Sequence, residues 1–182
     1  MKFDKSFIKR LKKKDKKAQE LFYQQLAPKM YGICIRFSSC RADADDILQE
    51  GFIRVFTHLN GYRGEGSIEG WVRKTIVNTA INFYKKRIKR GVPVGLDYIK
   101  ANPTGKSFAI EKMAADDLLK IIQNLPDGYR TVFNLNVIEG YTHKEIGEML
   151  EISENTSKSQ LSRARAMLKR KIMPTKHKDA NG

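Results

Sequence analysis

Between Gly91 and Ser107 the chain carries Pro93, Gly95 and an Asn102-Pro103 pair in quick succession. Proline fixes its own φ and pushes the preceding residue out of the helical region, while glycine loosens the backbone, so this stretch reads as a linker. A linker there divides 182 residues into two blocks, each with room for one small core. The expected organisation is a first domain over 1–90, a connection over 91–112, a second domain over 113–173 and a flexible tail over 174–182. With 41% hydrophobic and 30% charged residues, the chain has the balance of a globular protein and not that of a disordered one.

On both sides of the linker the apolar residues recur with the helical period. Phe7, Leu11, Ala18, Leu21, Phe22 and Leu26 fit one or two helices with a break around Lys13–Lys16, and Pro28 is expected to open the next, through Met30–Phe37. Asp43–Leu59 is amphipathic, with Leu48, Phe52, Val55, Phe56 and Leu59 on one side. Four glycines make 60–70 a loop, and Trp71–Arg90 reads as a long helix with Val72, Ile76, Ala80 and Phe83 inward. Helices resume at about Phe108–Asn124, break at Leu125-Pro126-Asp127-Gly128 and continue beyond it. No strand alternation stands out. The predicted fold class is all-α, two small helical domains joined by a flexible linker.

Charge narrows the function. Lys and Arg number 35 against 20 Asp and Glu, a net +15. Residues 1–17 hold nine of these cations; residues 70–96 hold seven and residues 155–173 six, the last two stretches without a single acid. Soluble surfaces favour interspersed signs, so acid-free basic helices are the footprint of a phosphate backbone. No apolar run is long enough to span a membrane, and residues 1–17 are too charged for a signal peptide. Cys34 and Cys40 are too few for a disulfide framework, and three scattered histidines do not complete a zinc site; both cysteines read as helix-packing residues. The expected protein is cytoplasmic, needs no cofactor, inserts into no membrane and has a polyanionic partner.

The second block carries the sharper local signal. Gly140-Tyr141 ends a helix, Thr142-x-x-Glu145 is a capping box that opens the next, and Gly147 permits a close neighbour. A short turn at Glu151-Ile152 leads to Ser153 as N-cap of a basic helix, the layout of a helix-turn-helix. At 100° per residue, Leu161, Ala164, Leu168 and Ile172 form one stripe, and Asn155, Ser159, Ser162, Arg163 and Ala166 the opposite one. Small side chains let such a helix settle into the major groove, where an Arg can bind guanine bidentately.

In the first block, Trp71, Lys74, Asn78, Ile81, Asn82, Lys85 and Lys89 lie opposite the apolar face of their helix. An aromatic at the head of a Lys/Asn stripe suits unstacked bases, with Tyr62 and Arg63 of the glycine-rich loop delivered to the same place. Trp71 reads equally well as a staple of the helix start. The acids Asp43, Asp45 and Asp46 are expected to serve the helix N-terminus rather than hold a metal. The exposed set Asp46, Gln49, Glu50 and Arg54 looks like a docking surface for a basic protein. Gly105-Lys106-Ser107 mimics the end of a phosphate loop, but Lys100 stands where its first glycine belongs.

Taken in order, residues 43–56 (DADDILQEGFIRVF), the glycine-rich loop and residues 71–82 (WVRKTIVNTAIN) resemble the second conserved region of bacterial RNA polymerase sigma factors of the sigma-70 family. Residues 125–133 (LPDGYRTVF), 139–150 (EGYTHKEIGEML) and 159–165 (SQLSRAR) resemble the fourth. The resemblance covers nearly the whole chain and lacks the autoinhibitory and third regions, which places it with the extracytoplasmic-function (ECF) group. It implies that Asp46, Gln49, Glu50 and Arg54 grip the polymerase clamp. Tyr62, Arg63, Trp71, Lys74, Asn78, Asn82 and Lys85 would capture the opened strand of the −10 element, and Asn155, Lys158, Ser159 and Arg163 would read the −35 element. Gln160 and Ser162 depart from the basic and bulky residues common there. The implied partners are core RNA polymerase through its clamp and flap, promoter DNA and an anti-sigma factor. A 22-residue connection spans at most about 75 Å, some two turns of DNA, so both domains can sit on one promoter. Two rivals stand beside this reading: a helix-turn-helix regulator acting without polymerase, and a metal-dependent nuclease using Asp43, Asp45 and Asp46.

Overall fold

The computed structural model describes residues 3–91 and 115–172, and these are helical apart from short turns and the 62–67 loop. The chain divides into two compact units, with the division between Arg87 and Ile88. Residues 92–112 of the expected linker, including the phosphate-loop mimic at 105–107, and the tail lie outside the described residues.

In the first unit, α1 (Lys5–Lys12) begins where the Asp4 carboxylate accepts from Phe7 N at 2.7 Å. Lys14 turns the chain through a left-handed φ of 61°, and Asp15 then caps α2 (Lys16–Phe37) by accepting from Ala18 N at 3.1 Å. The break expected around Lys13–Lys16 is therefore present. The helix start expected at Pro28 is not: α2 runs straight through Pro28. An interior proline costs a helix about 3 kcal/mol, but Phe22, Leu26, Ala27, Met30 and Ile33 are buried on either side of it. Packing of that continuous face keeps the helix unbroken across the proline.

Helix α3 (Arg41–His58) ends in a short 3-10 turn (Leu59–Gly61), and α4 spans Ile68–Lys89, starting three residues earlier than expected. An aromatic chain fills the core: Phe22 meets Phe7 and Phe56, and Phe52 bridges Phe56 to Tyr23, with ring centroids 4.7–6.5 Å apart. Helices α3 and α4 approach so closely that a Cβ at Gly51 would stand 2.3 Å from Ile76 Cδ1. The buried positions of α4 include Val72, Ile76, Val77, Thr79, Ala80 and Ile81. They cover an arc of about 200°, wider than a single stripe. Ile81, expected on the outer stripe, is only 4% exposed for that reason.

One local expectation changes at the start of α3. The N-cap Cys40 makes no side-chain cap and is exposed, so it is not a packing residue; Cys34 is buried, and burial raises its thiol to a pKa of about 12. Asp43 lies in the first turn of α3, where an acid suits the helix dipole as expected, but it also makes a tertiary pair that the sequence reading did not anticipate. Its carboxylate takes Arg87 Nη1 at 2.5 Å and Ser39 Oγ at 3.2 Å, tying the start of α3 to the end of α4.

In the second unit, α5 (Ala115–Gln123) and α6 (Asp127–Phe133) are joined through Arg130, which is 3% exposed. Its guanidinium donates to the carbonyls of Gln123 and Leu125 at 3.0 and 2.7 Å and to Asp127 at 2.5 Å, satisfying the acceptors that the end of α5 leaves open. A π-helical turn (Asn134–Ile138) extends α6, followed by α7 (His143–Leu150) and α8 (Glu154–Ile172). Leu125, Ala164 and Leu168 form the centre of this core, packed by Ile121, Ile122, Tyr129, Phe133, Met167 and Ile172.

Candidate nucleic-acid and polymerase interface

The turn between α7 and α8 follows from its sequence. Gly140 takes a φ of +81°, Thr142 and Glu145 form the capping box, and Glu151 closes α7 in the left-handed region. The Thr142 backbone amide and then its hydroxyl hold the Glu145 carboxyl below its usual range. A Cβ on Gly147 would come within 2.9 Å of Ile152 O, so only glycine lets the turn fold back this tightly. Ser153 Oγ accepts from Thr156 N at 3.0 Å and opens α8 as expected. One brace escaped the sequence reading: His143 Nδ1 lies 2.9 Å from the fully buried Ser157 Oγ and clips α7 to α8. The brace joins residues 14 apart, so no local pattern announces it.

The outer side of α8 is as expected. Asn155, Lys158, Ser159, Ser162, Arg163 and Ala166 are all exposed. Lys158 Nζ is 2.6 Å from Glu154, whose carboxyl is held below its ordinary range mainly by that bond. Ser159 Oγ donates to Thr156 O at 2.9 Å and can still accept. Gln160 is half-buried, with its Oε1 inside, so only Ser162 of the two departures faces outward.

On α4, Trp71, Lys74, Asn78, Asn82 and Lys85 fall within about 80° of one another. Lys74 and Asn78 are exposed; Trp71, Asn82 and Lys85 are half-buried. Tyr62 is turned inward, 6% exposed, with its hydroxyl donating to Gly66 O at 2.8 Å and its ring 5.9 Å from that of Trp71. Tyr62 thus closes the loop and backs Trp71, while Arg63, Gly64 and Glu65 form its exposed tip. Gly64 and Gly66 have φ of +83° and +75°, which the tight closure requires.

On α3, Asp46 and Gln49 are exposed; Glu50 and Arg54 are half-buried and paired at 2.5 Å, with Lys86 Nζ 3.7 Å from Glu50. Ile53 stands between them, 58% exposed. The sequence reading passed over it. Its position off the Phe52–Val55–Phe56 stripe, among polar neighbours, was the available sign.

Residues 22–90 match the family described as Sigma-70 region 2, and residues 115–168 match Sigma-70, region 4. The chain belongs to the sigma-70 family of sigma factors. Its curated relatives place it in the ECF group. It is 28% identical over 184 residues to the ECF RNA polymerase sigma-E factor of Haemophilus influenzae, covering 94% of this chain and 96% of that protein. The ECF RNA polymerase sigma-E factor of Escherichia coli (strain K12) is 26% identical over 182 residues, covering 94% and 95%. Among solved structures, the sigma factor RpoE in complex with the anti-sigma factor NepR from Bartonella quintana superposes with a TM-score of 0.51 at 19% identity, covering 86% of this chain and 97% of that one. That neighbour supports the all-helical fold. As an ECF sigma factor, the chain directs RNA polymerase to promoter DNA for transcription initiation. Among the described residues no helix is long and apolar enough to cross a membrane, and no three His, Cys, Asp or Glu side chains group as a metal site.

Proposed function

We propose that this sigma factor divides promoter recognition between its two units, without covalent chemistry and in the cytoplasm. Asp46, Gln49, Glu50 and Arg54, with Ile53 at their centre, dock on the clamp of core polymerase. The α4 side carrying Trp71, Lys74, Asn78, Asn82 and Lys85, together with Arg63 at the loop tip, holds the opened strand of the −10 element. Tyr62 contributes by keeping that loop closed. Asn155, Lys158, Ser159 and Arg163 on α8 read the −35 element in the duplex, and the second unit meets the polymerase flap. In this reading residues 1–90 and 113–173 are the two functional domains.

The observation that carries the reading is the pairing of a closed, glycine-bent loop with an aromatic-headed Lys/Asn stripe on the helix that follows it. Extracting a base from the stack costs a few kcal/mol, which a fitted pocket returns only for the right base. Melting and sequence recognition thereby become one event. Neither surface needs high affinity alone, because one polymerase tethers both. An anti-sigma partner belongs to the same proposal: the fold neighbour from Bartonella quintana was crystallised with one, and the exposed Ile53 offers an apolar anchor for such a protein.

Co-purification with core polymerase, followed by promoter-dependent transcription, tests the assignment. Duplex binding without polymerase capture would instead mark a stand-alone helix-turn-helix regulator, and magnesium-dependent cleavage of DNA without polymerase would mark a nuclease.

A further inference from the structure

Helix α1 lies outside the residues matched to region 2, which begin at 22. It nevertheless touches the strand-capture loop: Lys12 Nζ donates to Tyr62 O at 2.7 Å. That bond shows which side of α1 faces the loop. At 100° per residue, Lys5 and Lys9 lie within about 60° of Lys12 on the same side, and both are exposed. Phe7 and Leu11 occupy the opposite side and are buried. From Lys12 the stripe runs back about 10 Å along the helix axis to Lys5. Among the described residues no carboxylate pairs with Lys5 or Lys9, whereas nearby Arg10 is held by Asp15 at 2.8 Å.

Helix stability does not account for the stripe. Lys9 and Lys12 suit the carbonyl end of α1, but Lys5 sits at the amide end, where a cation is disfavoured, and the first turn holds no acid. A solvated face would mix signs. Here cations of one sign begin at the loop that bends a strand outward and continue away from it.

We propose that Lys5 and Lys9 form a phosphate track that receives the single strand as it leaves the 62–67 loop. The ligand is the sugar-phosphate backbone of opened DNA, bound without base preference. The inference rests on the strand-capture reading of the loop and α4. Its role is distinct from theirs: the loop selects a base, and α1 holds the neighbouring phosphates.

The test uses holoenzyme reconstituted with the full-length chain and forked promoter DNA. One probe ends its single strand just past the captured base; two others extend it by about six nucleotides, one in each direction. The unaltered protein gains affinity from one of the two extensions, with a steeper salt dependence. Lys5→Ala/Lys9→Ala should bind the short probe normally and lose the extension gain, its salt slope falling by about 1.4 for two single-strand phosphates. Both side chains are exposed, so the fold is spared. An unchanged gain and slope would overturn the track. So would a loss confined to core polymerase affinity, which would make the stripe a protein contact. Asn78→Ala separates the two readings. It should abolish base preference on the short probe while keeping the extension gain; preserved base preference would sink the capture pocket and leave the track standing.

Discussion

Arg163 Nη1 lies 3.2 Å from the Tyr129 hydroxyl, a bond from the outer stripe of α8 to the core-facing helix α6. The guanidinium is exposed yet aimed, which reduces the side-chain entropy it must lose on meeting a base. A bidentate Arg contact to guanine is worth about 1–3 kcal/mol of discrimination. Arg163→Ala should therefore flatten preference at one or two positions of the −35 element. Lys169→Ala, more than a turn later, should weaken all promoters alike and lower the salt slope by about one. Transcription from a saturation-mutagenised −35 element at two salt concentrations distinguishes them. A uniform loss for Arg163→Ala would make it a phosphate clamp and move base reading to Lys158 and Ser159.

Docking is best probed at Gln49. Glu50 already engages Arg54 and Lys86, so changing it disturbs the surface itself. Gln49→Lys should cut core polymerase binding at least about tenfold, a 1.4 kcal/mol effect. Stability should stay within about 0.5 kcal/mol, as for other exposed sites. Undiminished co-purification would remove α3 from the clamp.

Strand capture predicts that Asn78→Ala spares duplex binding through α8 and impairs promoter opening. Permanganate reactivity of the −10 thymines reports this directly; normal melting would return Asn78 to an ordinary surface residue.

The helix-turn-helix should weaken in acid in a definite direction. Glu145 has a depressed carboxyl pKa in the folded state, so its contribution is complete above the unfolded value near 4.3 and is lost as pH falls through the folded one. Glu145→Gln keeps a capping-box partner but does not titrate. Its thermal midpoint should therefore fall less steeply than that of the unaltered protein below about pH 4.3. Thr142→Ala removes the cap at every pH, at about 1 kcal/mol.

The two cysteines should differ sharply toward a maleimide. Cys40 is exposed and should react at once; Cys34, buried with a pKa of about 12, should react only on unfolding. Rapid labelling of both would contradict the packing of α2.

Much of this was legible because helical period and capping are local properties. The stripe Leu161–Ala164–Leu168, the Thr142–Glu145 box and the Ser153 cap need only neighbouring residues, and all are present. What escaped depends on contacts distant in sequence. Pro28 stays inside α2 because buried residues on both sides of it outweigh its local preference, and Ile81 is buried because α4 packs over a wide arc. Asp43 faces Arg87 from 44 residues away, a pairing no helix-cap rule anticipates. The Tyr62 carbonyl likewise takes its bond from Lys12, 50 residues earlier.

The close approach at Gly51 has a mechanical corollary. With no side chain there, the α3 backbone meets the Ile76 side chain directly, and any added Cβ would have to displace Ile76 Cδ1. Arg87 and Asp43 pin the far end of the same pair. In the proposed reading, the helix that meets polymerase and the helix that meets DNA are thus joined by one close crossing and one ion pair. On that reading, seating α3 on polymerase also constrains how α4 is presented to the opened strand.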